Sequence, residues 1–275
     1  MARANRHYVP GYVWHITHRC HKKEFLLKFA RDRRRYLHWL FEAKKRYGLR
    51  LLNYAVTSNH VHLLVKDDGD REVIPRSIQL IAGRTGQEFN QRKNRKGAFW
   101  EDRYHATAVE ADEHLVQCLV YIDLNMVRAG VVGHPSEWAF GGYNEIQAPR
   151  KRYGLIDYVG LRDLLNFRSM DDLATACRGW VAESLREGRH FRDEKWTESV
   201  AVGSETFVVS TKQRLGFKVK GREVTGADGS YVLREPPAAY KGILGQENDG
   251  LRHKNRRSWD GKSFNINGVA RSDPR

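Results

Sequence analysis

Cysteine is scarce in this chain, 3 residues in 275, and the scarcity removes two ways of holding a protein together. Cys20, Cys118 and Cys177 are widely spaced and form no Cys-x-x-Cys pair, so neither a disulfide framework nor a thiolate zinc site is available. Buried, inert thiols are expected. No run of about 18 apolar residues is present to span a bilayer as a helix. The opening Met1-Ala2-Arg3-Ala4-Asn5-Arg6 lacks the apolar core of a secretion signal, so a cytoplasmic location with no membrane partner is expected. Acidic side chains are also in short supply: 33 Asp and Glu against 48 Lys and Arg, a formal net charge of +15. No internal repeat is visible.

What is present is an ordinary globular composition, 40% apolar and 29% charged, long enough for one well-buried domain plus an extension. The positive charge is uneven. Residues 1–50 hold 14 Lys or Arg against 3 Asp or Glu, which points to a polyanionic partner, because each phosphate neutralised by a cation releases condensed counterions. A solvated helix face kept soluble by its charge is the competing account.

The periodicity predicts alternating strands and helices. Residues 11–18 alternate and are rich in β-formers. In residues 31–48, Leu37, Leu40, Phe41 and Tyr47 fall on one face, Arg and Lys fill the other, and Gly48 supplies a stop; Arg33, Arg34, Lys44 and Lys45 are then exposed. Residues 50–56 and 60–66 read as strands joined by Thr57-Ser58-Asn59, a turn-forming link. Pro75 can open a helix striped by Ile78, Ile81, Thr85 and Phe89, followed by a basic loop at 91–97 and a fourth strand within 98–109. Asp112 can cap a third helix whose stripe is Leu115, Cys118, Leu119, Ile122 and Met126, closed by Gly130. Its other face, with His114, Gln117, Tyr121, Asn125 and Arg128, is too polar for core. The order strand, helix, strand, strand, helix, strand, helix matches an α+β fold, the ferredoxin-like split βαβ: an antiparallel sheet with helices on one face. Three segments are expected: a domain over 1–148, a mainly helical carboxy-terminal extension over 149–240, and a flexible basic tail over 241–275.

Two small patterns carry chemistry. His60-Val61-His62 lies on a strand, where alternate residues face the same way, so both imidazoles leave one face and can grip one divalent cation. Two surface histidines with no shared task fit that spacing equally well. Tyr121 and Asn125, four apart on a helix, can address one site together. A phenol with a pKa of about 10 is a poor nucleophile at neutral pH unless a base or cation stabilises the phenolate; a half-buried structural tyrosine is the other account.

Three separated segments, Ser58-Asn59-His60-Val61-His62-Leu63-Leu64-Val65, Phe99-Trp100-Glu101-Asp102-Arg103-Tyr104, and Tyr121-Ile122-Asp123-Leu124-Asn125-Met126-Val127-Arg128-Ala129-Gly130, stand in order and spacing. Together they resemble the IS200-like tyrosine transposases, and more narrowly the REP-associated branch of these HUH enzymes, over roughly residues 5–145. The resemblance implies a ferredoxin-like nuclease domain in which His60 and His62 bind Mg²⁺ or Mn²⁺, Asn125 takes the place of a third, amide ligand, and Tyr121 is the nucleophile. It implies cleavage and joining of single-stranded DNA near a palindromic hairpin through a 5′ phosphotyrosyl link, and it leaves open a homodimer. Met126 departs from the branch, which usually has proline there, and this bears on how far the helix runs and on the reach of Arg128. Arg33, Arg34, Lys44, Lys45, Arg92, Lys93, Arg103 and Arg128 are the candidate DNA contacts. Tyr8, Tyr12, Trp14, Trp39, Trp100 and Tyr104 are candidate stacking surfaces, though core positions compete for them.

Two other readings exist. His15-Ile16-Thr17 and His105-Ala106-Thr107 resemble the paired His-x-Thr strands of 2H phosphoesterases, metal-independent enzymes acting on cyclic phosphates and RNA ends. A domesticated transposase that binds hairpins without cutting them is the non-enzymatic reading.

Overall fold

Strand β1 (Val13–Arg19) pairs antiparallel with two neighbours, β3 (His60–Lys66) on one side and β4 (His105–Val109) on the other, while β2 (Arg50–Val56) flanks β3. The order β2-β3-β1-β4 is that of the split βαβ unit. The structure, a computed structural model, describes residues 8–188, 192–227 and 229–235; all lie within one compact unit, Met1–Pro236. The tail expected over 241–275 lies outside the described residues.

Register decides which side chains share a face. His15 lies opposite Leu64 and Thr107, and Thr17 opposite His62 and His105, so His15, His60, His62 and His105 all project from one side of the sheet. Trp14, Ile16, His18, Val61 and Leu63 project from the other. On that second side lie α1 (Ala30–Tyr47) and α2 (Val73–Arg92). They are joined by a two-pronged Arg35–Glu88 ion pair at 2.7 Å and by Trp39, whose Nε1 donates to Glu88 at 3.1 Å. His18 stacks on Trp100 at 4.1 Å, and the Trp100 indole donates to the Ala82 carbonyl at 3.0 Å.

The helical periodicity is obeyed with a rotation. The buried residues of α1 are Asp32, Arg33, Tyr36, Trp39, Leu40 and Ala43, whereas Leu37, Phe41 and Tyr47 are half-buried. Arg33 therefore falls on the inner stripe rather than in solvent. Its guanidinium donates to the Leu27 and Lys28 carbonyls at 2.9 and 2.8 Å and sits over the Phe140 and Trp138 rings at 4.5 and 4.8 Å. Gly48, at φ +71°, ends the helix in the left-handed region that its missing Cβ permits.

The third helix, α3 (Glu113–Asp123), lies on the histidine side of the sheet, opposite the two crossover helices. Asn53 of β2 donates to the Leu119 carbonyl at 3.4 Å and to Asp123 at 2.9 Å. Asp112 caps it through the His114 amide, and Leu115, Cys118, Leu119, Ile122 and Met126 are buried as the stripe predicts. The helix breaks at Leu124 in spite of Met126 and resumes for one turn as α4 (Asn125–Arg128); Gly130 closes it at φ +65°.

α5 (Tyr143–Gln147) follows, and beyond residue 149 come the helices α6 (Tyr158–Leu164), α7 (Met170–Arg186), α8 (Lys195–Glu198) and α9 (Glu205–Leu215). The extension also adds three strands that the pattern does not announce. β5 (Ala201–Gly203) runs parallel to β4, then β7 (Ser230–Arg234) and β6 (Glu223–Ala227) follow, giving a seven-stranded sheet. These strands are short, and β5 has only three residues. The edge at β2 is partly covered: Ile156 bridges Leu51, Gly141 bridges Ala55, and Lys44 reaches across to the carbonyls of Gly154, Leu155 and Ile156 at 3.0 to 3.2 Å. A Cβ on Gly142 would sit 2.1 Å from Asn53 Oδ1, so this close approach requires glycine.

Arg33→Ala is expected to lower stability by about 2–3 kcal/mol, because it strips the Leu27 and Lys28 carbonyls, the first of them buried, of their donor and removes a buried side chain, while Arg34→Ala on the exposed face should stay within about 0.5 kcal/mol of wild type. Urea unfolding of the two variants checks this; equal effects would return Arg33 to the solvated face.

Candidate active site

Five side chains from four elements meet on the histidine face. His62 is 2% exposed and lies between His15, itself 0% exposed, and Asn125. His62 Nδ1 is 2.9 Å from His15 Nε2, and His62 Nε2 is 2.9 Å from Asn125 Nδ2. The His15 and His62 rings are nearly parallel, 11° apart with centroids at 5.1 Å, and His60 meets His62 edge-on at 4.9 Å. Tyr121 presents its ring 5.9 Å from that of His62 and 6.1 Å from that of His15. The pleat of β3 puts the two histidines on one side, and the single helical turn between Tyr121 and Asn125, although broken at Leu124, keeps both over them.

Burial dominates the electrostatics. It lowers the pKa of His15 to about 3 and of His60 to about 4, and holds that of His62 well below the ordinary range; neighbouring Arg19 and Arg128 push His60 the same way. The imidazoles are therefore neutral at physiological pH, as metal ligation requires. The Thr57 and Asn59 side chains approach His60 Nδ1 at 3.1 and 2.7 Å, which leaves Nε2 to face Asn125. Two imidazole nitrogens and an amide fit a divalent cation that keeps positions for other oxygen ligands, once the Asn125 amide presents its oxygen; which way such an amide points follows its partners.

Tyr121 is 8% exposed. Burial raises its pKa above the usual phenol value, and Arg128 opposes this. The Arg128 guanidinium lies 4.0 Å over the Tyr121 ring and donates to the Tyr121 carbonyl at 2.8 Å. That grip binds α4 to α3.

The polar face of α3, which its composition places in solvent, is covered instead. Residues 192–199 pack over it: Trp196 lies 6.1 Å from the Tyr121 ring, and Lys195 donates to Gln117 at 3.4 Å. The Trp196 carbonyl accepts from His15 Nδ1 at 2.9 Å, and the Ser199 carbonyl accepts from Thr107 at 2.7 Å and from His105 at 2.9 Å. Sequence reading passes over Trp196 and Arg192, because they lie 71 or more positions from Tyr121 in a segment without motif. Their only signal is an aromatic set among charges (Arg192-Asp193-Glu194-Lys195-Trp196).

Among the described residues, Glu110, Asp112 and His114 also bring ligand-type atoms within 4.8 Å of one another. The two carboxylates are already engaged by the protein: Asp112 Oδ1 accepts the His114 amide and Nδ1 at 2.8 Å, and Glu110 accepts the Ser204 amide and hydroxyl at 2.5 and 3.0 Å. This cluster caps α3 and α9. The three cysteines are buried and free, and burial raises the pKa of Cys20 and Cys177 to about 12 and holds that of Cys118 well above the ordinary thiol range. Among the described residues, no helix is long and apolar enough to cross a membrane.

Residues 8–125 match the family model described as "Transposase IS200 like". Over that span the chain is similar to the IS200-like transposases. The matched span contains His15, His60, His62 and Tyr121 and closes on Asn125. A REP-associated tyrosine transposase, solved bound to a REP hairpin, is 20% identical at a TM-score of 0.44, over 54% of this chain and 87% of that one. A candidate transposase of Deinococcus radiodurans R1 is 21% identical at a TM-score of 0.31, over 44% of this chain and 96% of that one. No curated protein matches the chain.

For a transposase domain the placement of the basic residues matters. Arg34, Lys45, Lys93 and Arg103 are exposed, Arg92 is paired with Asp32, and Arg33 and Lys44 are held by backbone carbonyls. Trp14, Trp39 and Tyr104 are core, which removes them as stacking platforms; Tyr8, Tyr12 and Trp100 are half-buried.

The neutral histidines make stability pH-dependent. With folded pKa values of about 3, 4 and 4 for His15, His18 and His60, the unfolded chain takes up protons first, below about pH 6.5. Stability therefore falls from that pH downward, by roughly 1.4 kcal/mol per unit for each histidine. Asp123 acts with the opposite sign, since burial raises its pKa to about 7 despite the hydrogen bond from Asn53, and the folded state holds its proton between about pH 4 and 7. Asp123→Asn should thus unfold more steeply with acid than wild type and gain stability at pH 8. Urea midpoints from pH 4.5 to 8 measure both slopes; a slope unchanged in the variant would mean that Asp123 titrates as an ordinary carboxyl.

Proposed function

We propose that this protein is a metal-dependent single-stranded DNA endonuclease and strand transferase, acting near hairpins through a 5′ phosphotyrosine on Tyr121. The observation that carries the reading is the convergence of Tyr121 and Asn125, from one helical segment, on the His60 and His62 pair of β3. A family domain over residues 8–125 supports it. So does the resemblance of the three motif segments to the REP-associated branch.

His60 Nε2, His62 Nε2 and the Asn125 amide are the groups that would hold Mg²⁺ or Mn²⁺, which when bound supplies positive charge to the scissile phosphate and to the attacking phenolate. The need for such charge follows from this site: burial drives the Tyr121 phenol toward its protonated form, and Arg128 alone does not reverse the shift. The Tyr121 oxygen attacks phosphorus, the bond to the 3′ oxygen breaks, and the phenolic proton is balanced by the one gained on the released 3′ hydroxyl. The downstream fragment stays on Tyr121 through its 5′ phosphate. Since one phosphodiester replaces another, a second 3′ hydroxyl can reverse the step on a new end without ATP. The exposed Arg34, Lys45, Lys93 and Arg103 remain for phosphate contact, and a homodimer is compatible with this scheme.

The 2H reading loses its geometric basis. His15 and His105 do share a face with Thr17 and Thr107, but the Trp196 and Ser199 carbonyls accept from them, and His15 and Thr107 are 0% exposed. A cyclic phosphate has no access to nitrogens so engaged.

Tyr121→Phe, incubated with hairpin-bearing single strands and Mn²⁺, should bind DNA as wild type does and yield neither cut product nor covalent adduct. Wild type should give an upstream fragment with a free 3′ hydroxyl and a downstream fragment blocked at its 5′ end by protein. Wild-type cleavage by Tyr121→Phe would refute the nucleophile assignment. Binding without any product in the wild type would establish the hairpin-binding alternative.

A further inference from the structure

A neutral imidazole carries one N–H, and in water the proton resides mainly on Nε2. For His62 that choice would be fatal to ligation, because Nε2 is the nitrogen that faces Asn125 and the adjacent His60. The surroundings of His62 impose the other tautomer. The Trp196 carbonyl can only accept, so the His15 nitrogen 2.9 Å away, Nδ1, must carry a hydrogen. His15 is wholly buried and its two nitrogens meet a carbonyl and an imidazole rather than a carboxylate, so it carries one ring proton and its Nε2 holds a lone pair. His62 Nδ1, 2.9 Å from that lone pair, must supply the proton between them. The proton of His62 is thus placed on Nδ1, and its Nε2 is left as a directed lone pair.

We propose that His15 is a positioning residue for the metal site, and that the Trp196 carbonyl of the carboxy-terminal extension anchors it, so that the chain Trp196 O, His15, His62 fixes the ligating tautomer. The proposal rests on the reading of His60 and His62 as ligands. Three observations favour an orienting role over simple filling. The His15 and His62 rings are nearly parallel, which holds both nitrogen pairs in line. His15 is wholly buried, so no water competes for either nitrogen. Thr107 Oγ1 lies 3.3 Å from the same Trp196 carbonyl and 2.7 Å from that of Ser199, which fixes the acceptor against β4. Residues 192–199 thereby belong to the site, although the family domain ends at residue 125. Groups that orient metal-bound histidines in this way typically change affinity by about 10–100-fold.

The test uses the full chain without metal and then with Mn²⁺ alone. In the ¹⁵N-imidazole spectrum of the wild type, His62 should appear with Nδ1 protonated and Nε2 bare; a proton on Nε2 would overturn the proposal whatever the variants do. His15→Phe keeps a ring against His62 and removes both nitrogens, and it should shift His62 toward the Nε2–H form and weaken Mn²⁺ binding by about 10–100-fold. His15→Gln, which can still accept from His62 and donate to Trp196, should recover part of that loss. Wild-type Mn²⁺ affinity and an unchanged His62 tautomer in His15→Phe would also overturn it. His60→Ala separates the two layers. If Mn²⁺ binding survives His60→Ala, the ligand assignment itself fails; if it is lost there but intact in His15→Phe, only the relay fails.

Discussion

The hydrogen bond between His15 and His62 crosses two strands whose register leaves no freedom to form it elsewhere. With β1 paired to β3 on one side and β4 on the other, His15 is one step diagonal from His62 and directly opposite Thr107. A slip of β1 by one residue would send His15 to the face occupied by α1 and α2, away from His62 and Thr107. The site therefore depends on β1 being central and doubly paired. Its neighbours on the other face, His18 against Trp100 and Ile16 in the core, hold that register by burial.

Much of this was legible in the residues, and the reasons differ by element. The strands at 50–56 and 60–66, the helix before Gly48 and the one after Asp112 announced themselves because alternation, stripes and caps are local signals. His60-Val61-His62 and Tyr121 with Asn125 were legible as pairs for the same reason, and their convergence became visible through the resemblance of three segments in register. Tertiary cover was not legible. Tyr121 reads as solvent-facing because Trp196, which packs against it, arrives from far along the chain. Arg33 read as exposed because its neighbours are charged, yet its spacing from Tyr36, Leu40 and Ala43 puts it inside.

The same exchange governs the positive charge. A net excess suggests a broad polyanion surface, but part of it is spent internally: Arg33 and Lys44 on backbone carbonyls, Arg35 and Arg92 on carboxylates of the α1 and α2 pair, Arg128 on Tyr121. Net charge counts cations without regard to their partners, whereas a phosphate meets only those whose donors are still in water. In this fold that leaves Arg34, Lys45, Lys93 and Arg103 among the basic side chains singled out from the sequence.

The acceptor for His15 lies 181 positions further along the chain, and that distance has a meaning for the order in which a ribosome delivers the parts. By the time Asn125 has emerged, the proposed ligands and Tyr121 are all present. The imidazole behind them, however, still lacks its carbonyl, and Tyr121 lacks the tryptophan that shields it. The site closes only when the segment around residue 196 folds back onto the sheet. A chain that has emerged only as far as Asn125 thus carries His15, His62 and Tyr121 without these partners, and the arrangement is completed by the segment around residue 196.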